Sequence, residues 1–204
     1  MSATSAPFGL RPAFHPSGLD RAQALANGIV SGFATDILKG APVRYNSTAG
    51  TSVAAGTITL AASGGAWTGA FAGVEFTDTT GRRRVSNYWP ASTTFQAGSC
   101  IAYFYNDNDI VYEIQTDATI AQTSLGGEYD FSAAAGFTVG AGSTATGLST
   151  TGLGVSTAKA NGAQGQMRVV DIAPYSDNAW GDPFVIVRVV NSQSQYFGSV
   201  TAIV

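Results

Sequence analysis

Charged side chains are scarce in this sequence. The 204 residues include 10 Lys and Arg and 13 Asp and Glu, so 11% of the chain is charged, whereas soluble domains average about 25%. Ionised groups are what usually keep a lone globule dissolved and unassociated. A surface built mainly from small neutral residues favours a protein that neighbours cover, and it points to a structural part of a larger assembly.

Cysteine and histidine each occur once, which excludes several kinds of site. Cys100 has no partner for an internal disulfide, and residues 99–104 are typical of a buried strand, so we interpret it as a small core residue. His15 follows Phe14 and precedes Pro16, a poor position for a catalytic base that an oriented carboxylate must hold. One His and one Cys also make a zinc site improbable. With no nucleophile elbow, phosphate loop or dinucleotide fingerprint, the sequence predicts no enzymatic activity, no cofactor and no metal.

The charge balance and the apolar runs argue against two classes of partner. The formal net charge is −3 at pH 7, which is unfavourable for binding nucleic acid through its phosphates. No run of eighteen apolar residues is present to span a membrane. The first twenty residues also lack the continuous apolar stretch of a secretion signal.

Residues 1–19 predict an extended N-terminal arm. Three prolines disfavour a regular helix there. Ordering the arm costs about 1–2 kcal/mol per residue, and each large apolar side chain returns only about 1.5–3 kcal/mol on burial. We therefore expect the arm to pair with a partner or with its own body, and a frayed terminus is the alternative. The apolar side chains available for this are Phe8, Leu10, Phe14 and Leu19.

Residues 20–204 are predicted to form a single β-rich domain. Many short strands with Gly and Pro turns indicate an all-β sandwich or barrel, and a jelly-roll arrangement is among the alternatives. Asp20 suits the N-cap of one short helix over 20–27. Three strand pairs are predicted: 71–76 with 82–89 across the turn 78–81, 100–105 with 110–116, and 167–173 with 184–191. Weaker strands are expected at 42–45, 57–60 and 196–204.

Two features refine this prediction. Ile110, Tyr112 and Ile114 alternate with Val111, Glu113 and Gln115, as expected when one sheet face packs on a core and the other meets water. The stretches 47–65 and 132–166 are rich in Gly, Ala, Ser and Thr. The second has Lys159 as its one charge, so we expect an ordered β-rich excursion there, with disorder as the alternative.

The clustered charges admit plain structural explanations. The segment 107–109, Asp-Asn-Asp, is predicted to be a solvated hairpin tip, since it lacks the further ligands of a calcium loop. Glu75, Glu113 and Glu128 have no spacing that supports a glycosidase pair. Residues 82–84 are three consecutive arginines after a turn. They predict either a charged edge that discourages strand addition or a contact with an acidic partner.

Several segments together carry a resemblance to a known family. In them the chain resembles the capsid decoration proteins of tailed bacteriophages, also called cement or head-stabilising proteins. The likeness covers most of residues 6–130 and is looser beyond. The segments are Ala6-Pro7-Phe8-Gly9-Leu10-Arg11-Pro12 with His15 and Gly18, Phe71–Asp78, Tyr88-Trp89-Pro90-Ala91, and Ala102-Tyr103 through Val111–Gln115.

The resemblance implies β-rich subunits, usually homotrimers, that bind the outside of an assembled shell of the major capsid protein. It implies a location on the virion exterior after synthesis in the bacterial host cytoplasm, and no enzymatic activity. On this basis we expect Phe8, Leu10 and Phe14 to anchor the arm on the capsid or on a neighbouring subunit. Arg11 is expected to pair with a carboxylate or a backbone oxygen, and Arg82 and Arg83 to make further contacts.

Two alternatives are kept open. The first is a carbohydrate- or receptor-binding β-sandwich on a virion or cell surface, in which Trp67, Trp89 and Trp180 stack on ligands from exposed loops. Trp more often anchors a core or an interface. The second, less favoured, is a hydrolase built on a β fold.

Overall fold

The described part of the protein is built from strands joined by turns and irregular segments. A computed structural model describes residues 4–18, 22–46, 54–160 and 162–197. Two single-turn 3-10 helices lie in this part of the chain, at Gln122–Ser124 and Val155–Thr157. The strands are β1 (Arg11–Phe14), β2 (Gln23–Ala26), β3 (Pro42–Tyr45), β4 (Ile58–Leu60), β5 (Gly69–Thr77), β6 (Arg83–Ser86), β7 (Ile101–Tyr105), β8 (Val111–Gln115), β9 (Glu128–Tyr129), β10 (Gly142–Ser143), β11 (Leu148–Ser149), β12 (Met167–Ile172) and β13 (Ile186–Asn191).

The strands form two antiparallel sheets that pack as an all-β sandwich, which confirms the predicted fold class. The five-stranded sheet has the order β1-β8-β13-β12-β9. The six-stranded sheet has the order β2-β7-β5-β3-β4, and β6 pairs with the far end of β5. A separate two-stranded ribbon joins β10 to β11.

Two clusters of buried apolar side chains pack against the sheets, and we call them the five-strand core and the six-strand core. Ala70 and Phe71 are neighbours on β5 and belong to different clusters, because successive side chains of a strand point to opposite faces. The five-strand core includes Leu10, Trp67, Tyr112, Ile114, Phe131, Leu153, Met167, Val169, Val187 and Val189. The six-strand core includes Ile29, Ile37, Val43, Ile58, Phe71, Val74, Phe76, Trp89, Ala102 and Phe104.

Two of the predicted strand pairs are confirmed. β5 pairs with β6 across a turn in which Gly81 has φ of 87°, a left-handed conformation that glycine adopts without strain. β12 pairs with β13. β13 also pairs with β8, so it is the central strand that its nearly continuous apolar run predicts.

The predicted helix over 20–27 is wrong. Gln23–Ala26 is β2, and it pairs in register with Phe104 through Ile101 of β7. An eight-residue helix is marginal by itself in water. Pairing places Leu25 opposite the buried Ala102 and against the six-strand core, so tertiary contacts override the local preference.

The predicted hairpin between 100–105 and 110–116 is also wrong. β7 lies in the six-stranded sheet between β2 and β5, whereas β8 lies in the five-stranded sheet between β1 and β13. Both strands exist, but the chain crosses between the sheets at 106–110. Ile110, Tyr112 and Ile114 are buried as predicted.

The other face of β8 does not meet water. Glu113 and Gln115 were expected to face solvent but are both buried. Ala6 donates its N–H to Oε1 of Gln115 at 2.8 Å, and Arg11 reaches Glu113. The arm therefore covers this face of β8. The alternation of apolar and polar residues along β8 predicted which side chains face the core, but it did not predict that the other side is buried as well.

The Gly/Ala/Ser/Thr-rich stretch packs against the domain through a few side chains. Leu153 is fully buried and bridges Thr116 and Phe131 by backbone pairing. Phe137 is buried and stacks on Phe184. The strands expected at 42–45 and 57–60 are present as β3 and β4, and most of the segment expected at 196–204 lies outside the described residues.

Cys100 lies in the six-strand core, next to the first residue of β7. Burial raises the pKa of its thiol to about 11. The thiol therefore stays protonated at neutral pH, as the interpretation of Cys100 as a small core residue requires.

Gly69, the first residue of β5, is a position where no side chain fits. A Cβ added at Gly69 would lie 1.5 Å from the backbone oxygen of Tyr105 on β7. We expect Gly69→Ala to lower the free energy of unfolding by about 2–4 kcal/mol, because backbone must move. The matched control is Gly65→Ala, whose added Cβ meets its nearest neighbours at 3.6 Å. Equal urea midpoints for the two variants would contradict this packing.

Candidate interaction surface

The arm is docked on its own domain. Residues 11–14 pair as β1 with β8 at the edge of the five-stranded sheet. Leu10 is 3% exposed, and its N–H donates to the oxygen of Gly40 at 2.8 Å. Gln115 donates from Nε2 to the oxygen of Thr4 at 3.0 Å. Backbone pairing with its own body, one of the two predicted arrangements, thus holds the arm in place.

The predicted anchor residues have different environments. Leu10 belongs to the five-strand core and does not reach a partner while the arm is docked. Phe8 is half-buried, and the Arg11 guanidinium lies 4.7 Å from the centre of its ring. Phe14 is 54% exposed, so it is the apolar side chain that the docked arm offers to a partner.

Arg11 pairs with a carboxylate of its own chain. Its Nη2 donates to Oε2 of Glu113 at 2.5 Å, and the hydroxyl of Tyr175 donates to the same oxygen at 2.6 Å. Nη2 of Arg11 also contacts the Tyr175 hydroxyl. From the other side, Nε of Arg188 lies 3.5 Å from Oε1 of Glu113. The carboxylate thereby joins β1, β8, β13 and the loop after β12.

Four charged residues of alternating sign lie directly opposite one another on four neighbouring strands, and Asp171 on β12 extends the row beyond Arg188. Directly opposed residues of neighbouring strands share one face of the sheet. We call this row the charge ladder, and its members, in strand order, are Arg11, Glu113, Arg188 and Asp171.

The ladder changes the acidity of its central carboxyl group. Burial by itself would raise the pKa of Glu113, but hydrogen bonds from Tyr175 and Arg11 and the charges of Arg11 and Arg188 outweigh it, so the pKa is lowered. The hydrogen bond to Glu113 in turn raises the pKa of Tyr175. Glu113 is therefore ionised at neutral pH although it is only 4% exposed.

His15 and the acidic loop at 107–109, which lie far apart in the sequence, meet in the structure. Nε2 of His15 lies 3.0 Å from Oδ2 of Asp107, and the backbone N–H of Ser17 donates to Nδ1 at 3.1 Å. Asp107 also accepts from the N–H of Asp109, and this bond is the main cause of its lowered pKa. The contact fastens the end of the arm to the crossover at 106–110.

The hairpin tip that carries the three arginines is internally paired. Oδ1 of Asp78 accepts from Thr80 and from the N–H of Arg82, and these bonds, the Thr80 side chain first, lower the pKa of Asp78. Nε of Arg84 lies 2.9 Å from Oδ2 of Asp78, and Nη2 of Arg83 lies 2.6 Å from Oε2 of Glu75. Arg82, Arg83 and Arg84 are all exposed, so Arg82 and Arg83 remain accessible as predicted contacts.

The tryptophans are not arranged as a sugar-binding platform. Trp67 and Trp89 are fully buried, and their indole N–H groups donate to the backbone oxygens of Gln166 and Phe33. Trp180 is half-buried against the five-strand core. The carbohydrate-binding alternative depended on exposed tryptophans and loses that basis for Trp67 and Trp89.

The three glutamates considered for acid–base chemistry do not form a pair. Glu113 on β8 and Glu128 on β9 are three strand spacings apart in one sheet, about 14 Å. Glu128 is occupied by Arg168 and Ser192, and Glu75 lies in the other sheet.

The described part of the chain contains neither a metal-binding group nor a membrane-spanning helix. No group of three or more His, Cys, Asp or Glu side chains there could hold a metal ion. No helix among those residues combines the length and apolarity needed to cross a membrane.

Comparisons with known proteins leave the surface to be interpreted on physical grounds. No protein-family model, no curated protein and no solved structure matches the chain.

The charge ladder predicts an acid-sensitive arm. Because the pKa of Glu113 is lowered in the folded state, its stabilising contribution is complete above the ordinary glutamate pKa of about 4.3. It is lost as the pH falls through the lowered value. We expect Glu113→Gln to cost about 2–3 kcal/mol at pH 7 and less at pH 3, measured by urea unfolding and by hydrogen exchange of the β1 amides.

Glu75→Gln is the matched control, since Glu75 pairs with an exposed arginine in the other sheet and should have a small effect. A Glu113→Gln penalty that is the same at both pH values would contradict the ladder.

Proposed function

We propose that this protein is a virion structural protein, a capsid decoration or cement protein of a tailed bacteriophage. It binds the outside of the shell formed by the major capsid protein and stabilises that shell, and it acts as a homo-oligomer, a trimer by the resemblance. In this role it needs no enzymatic activity, cofactor, nucleic acid or membrane.

The observation that carries the proposal is the low density of charge on the protein. The accessible surface is 9633 Å², close to the roughly 9000 Å² of a compact monomer of this mass. Divided by the 23 charged residues of the chain, this accessible surface amounts to about 420 Å² per charged residue. In the part of the chain that the structure describes, six cationic side chains are paired with carboxylates of the same chain: Arg11, Arg83, Arg84, Lys159, Arg168 and Arg188.

A surface of this kind suits a protein that is covered in use. Burying a free charge at an interface is costly unless the partner supplies a counter-charge, whereas small neutral residues lose little when they leave water. A cement protein reinforces a shell by spanning seams between its subunits. Several modest contacts then act together, so avidity exceeds any single contact.

The direct test uses shells assembled without this protein. We expect the purified protein to co-sediment with such shells and to raise the temperature at which they disrupt. Protein that stays in the supernatant, with shells of unchanged heat resistance, would contradict the proposed function.

Phe14 on the docked arm is a point of contact that a single substitution tests. We expect Phe14→Ser to weaken binding to shells about fivefold to tenfold, because roughly half of a large apolar side chain remains to be buried. Leu125→Ser, at another partly exposed apolar side chain, is the control and should bind as the unmodified protein does. Equal binding of both variants would exclude Phe14 from the contact.

A further inference from the structure

The arm lies in a groove that fits it closely. A Cβ added at Gly9 would lie 2.7 Å from the backbone oxygen of Gly40, so a larger residue there would collide with the backbone. The next residue, Leu10, packs in the five-strand core, and Arg11 reaches Glu113. We call this the arm groove, and the residues that hold the arm in it are Gly40, Glu113, Gln115 and Tyr175.

The arm groove is built by residues that lie far along the chain from the arm. Gln115 is 109 residues from Ala6, whose N–H it accepts, and Tyr175 is 164 residues from Arg11. The contacts in the groove are therefore the same whether the arm comes from the same chain or from a second copy. Domain swapping, in which identical protomers exchange an identical element, requires this property.

A turn at 15–18 follows β1 and provides a place for the chain to open. Gly18 donates its N–H to the oxygen of His15 at 2.8 Å. Opening the turn loses this one backbone hydrogen bond, whereas the arm regains its contacts in the groove of a neighbour. Pro16 keeps the opened segment extended, because its ring fixes φ and disfavours a helical conformation of the residue before it.

We propose that, in the homo-oligomer, the arm groove of each subunit is occupied by the arm of a neighbouring copy. This inference rests on the homo-oligomeric state in the proposed function. Subunits that already lie side by side present their grooves at a high effective concentration, so exchange needs no further encounter. Each exchanged arm then joins two subunits through the burial of Leu10 and the ion pair of Arg11 with Glu113.

Crosslinking the arm to β8 identifies the chain that supplies it. Phe14 is 54% exposed and lies opposite Val111 in the β1–β8 register. The single variants Phe14→Cys and Val111→Cys are co-expressed and treated with a short thiol-specific crosslinker. We expect covalent dimers on a denaturing gel, because an arm with one cysteine then lies in a groove beside the other. Cys100 is fully buried and does not compete.

Two further variants control the experiment. Phe14→Cys co-expressed with Val85→Cys, whose position is 73% exposed on the other sheet, should give about tenfold fewer dimers, because no groove holds those two cysteines together. Adding Gly18→Val should raise the dimer yield of the first mixture. Gly18 has φ of 76°, which strains a β-branched residue, and the substitution therefore weakens the turn that returns the arm to its own domain.

A chain that carries both Phe14→Cys and Val111→Cys makes a negative result decisive. If it crosslinks within one chain while the mixture of single variants stays monomeric, each arm occupies its own groove and the inference is overturned. Equal dimer yields from the mixture and from the Val85→Cys control would also overturn it, since the crosslinks would then come from chance collisions.

Co-sedimentation of the unmodified protein with shells separates this inference from the proposed function. Shell binding without crosslinked dimers overturns the arm exchange and leaves the capsid role standing. Crosslinked dimers without shell binding contradict the capsid role and support the exchange of arms between subunits.

Discussion

The buried carboxylate of Glu113 is the group on which the position of the arm depends. It is ionised and nearly inaccessible to water, so it has to be matched by donors from its own chain. Arg11 and Tyr175 donate hydrogen bonds to it, and Arg188 adds a positive charge with its Nε at 3.5 Å. Once these contacts form, β1 is held against β8 and Leu10 enters the core. The outer face of β8, which would otherwise meet water, is then closed. In this chain, which has few charged residues, the charges around Glu113 connect β1, β8 and β13.

Other ion pairs of the described chain connect elements in the same way. Glu128 on β9 accepts hydrogen bonds from Arg168 on β12 and from Ser192, and Lys159 pairs with Asp130. In the six-stranded sheet, Arg83 on β6 pairs with Glu75 on β5. These charges therefore connect neighbouring parts of the fold, while small neutral residues make up much of the remaining sequence.

Sequence reasoning predicted the features that local chemistry determines. The β5–β6 hairpin follows from a turn in which Asp78 accepts hydrogen bonds from Thr80 and Arg82, and the β12–β13 pair from two long β-branched runs. Partner choice between distant strands was not predictable in this way. β7 and β8 look like a hairpin, but each has two better neighbours in different sheets. The helix expected at 20–27 became β2 because an edge of β7 was available to it.

The candidate site shows the same limit. Arg11 was expected to pair with a carboxylate, but no sequence signal links it to Glu113 or Tyr175, which lie 102 and 164 residues away. His15 and Asp107 stood out separately and meet only through the fold. The sharpest test of the proposed capsid role is electron cryomicroscopy of shells imaged with and without this protein. We expect additional density at regular positions on the shell exterior. Identical maps from the two samples, at saturating protein, would rule that role out.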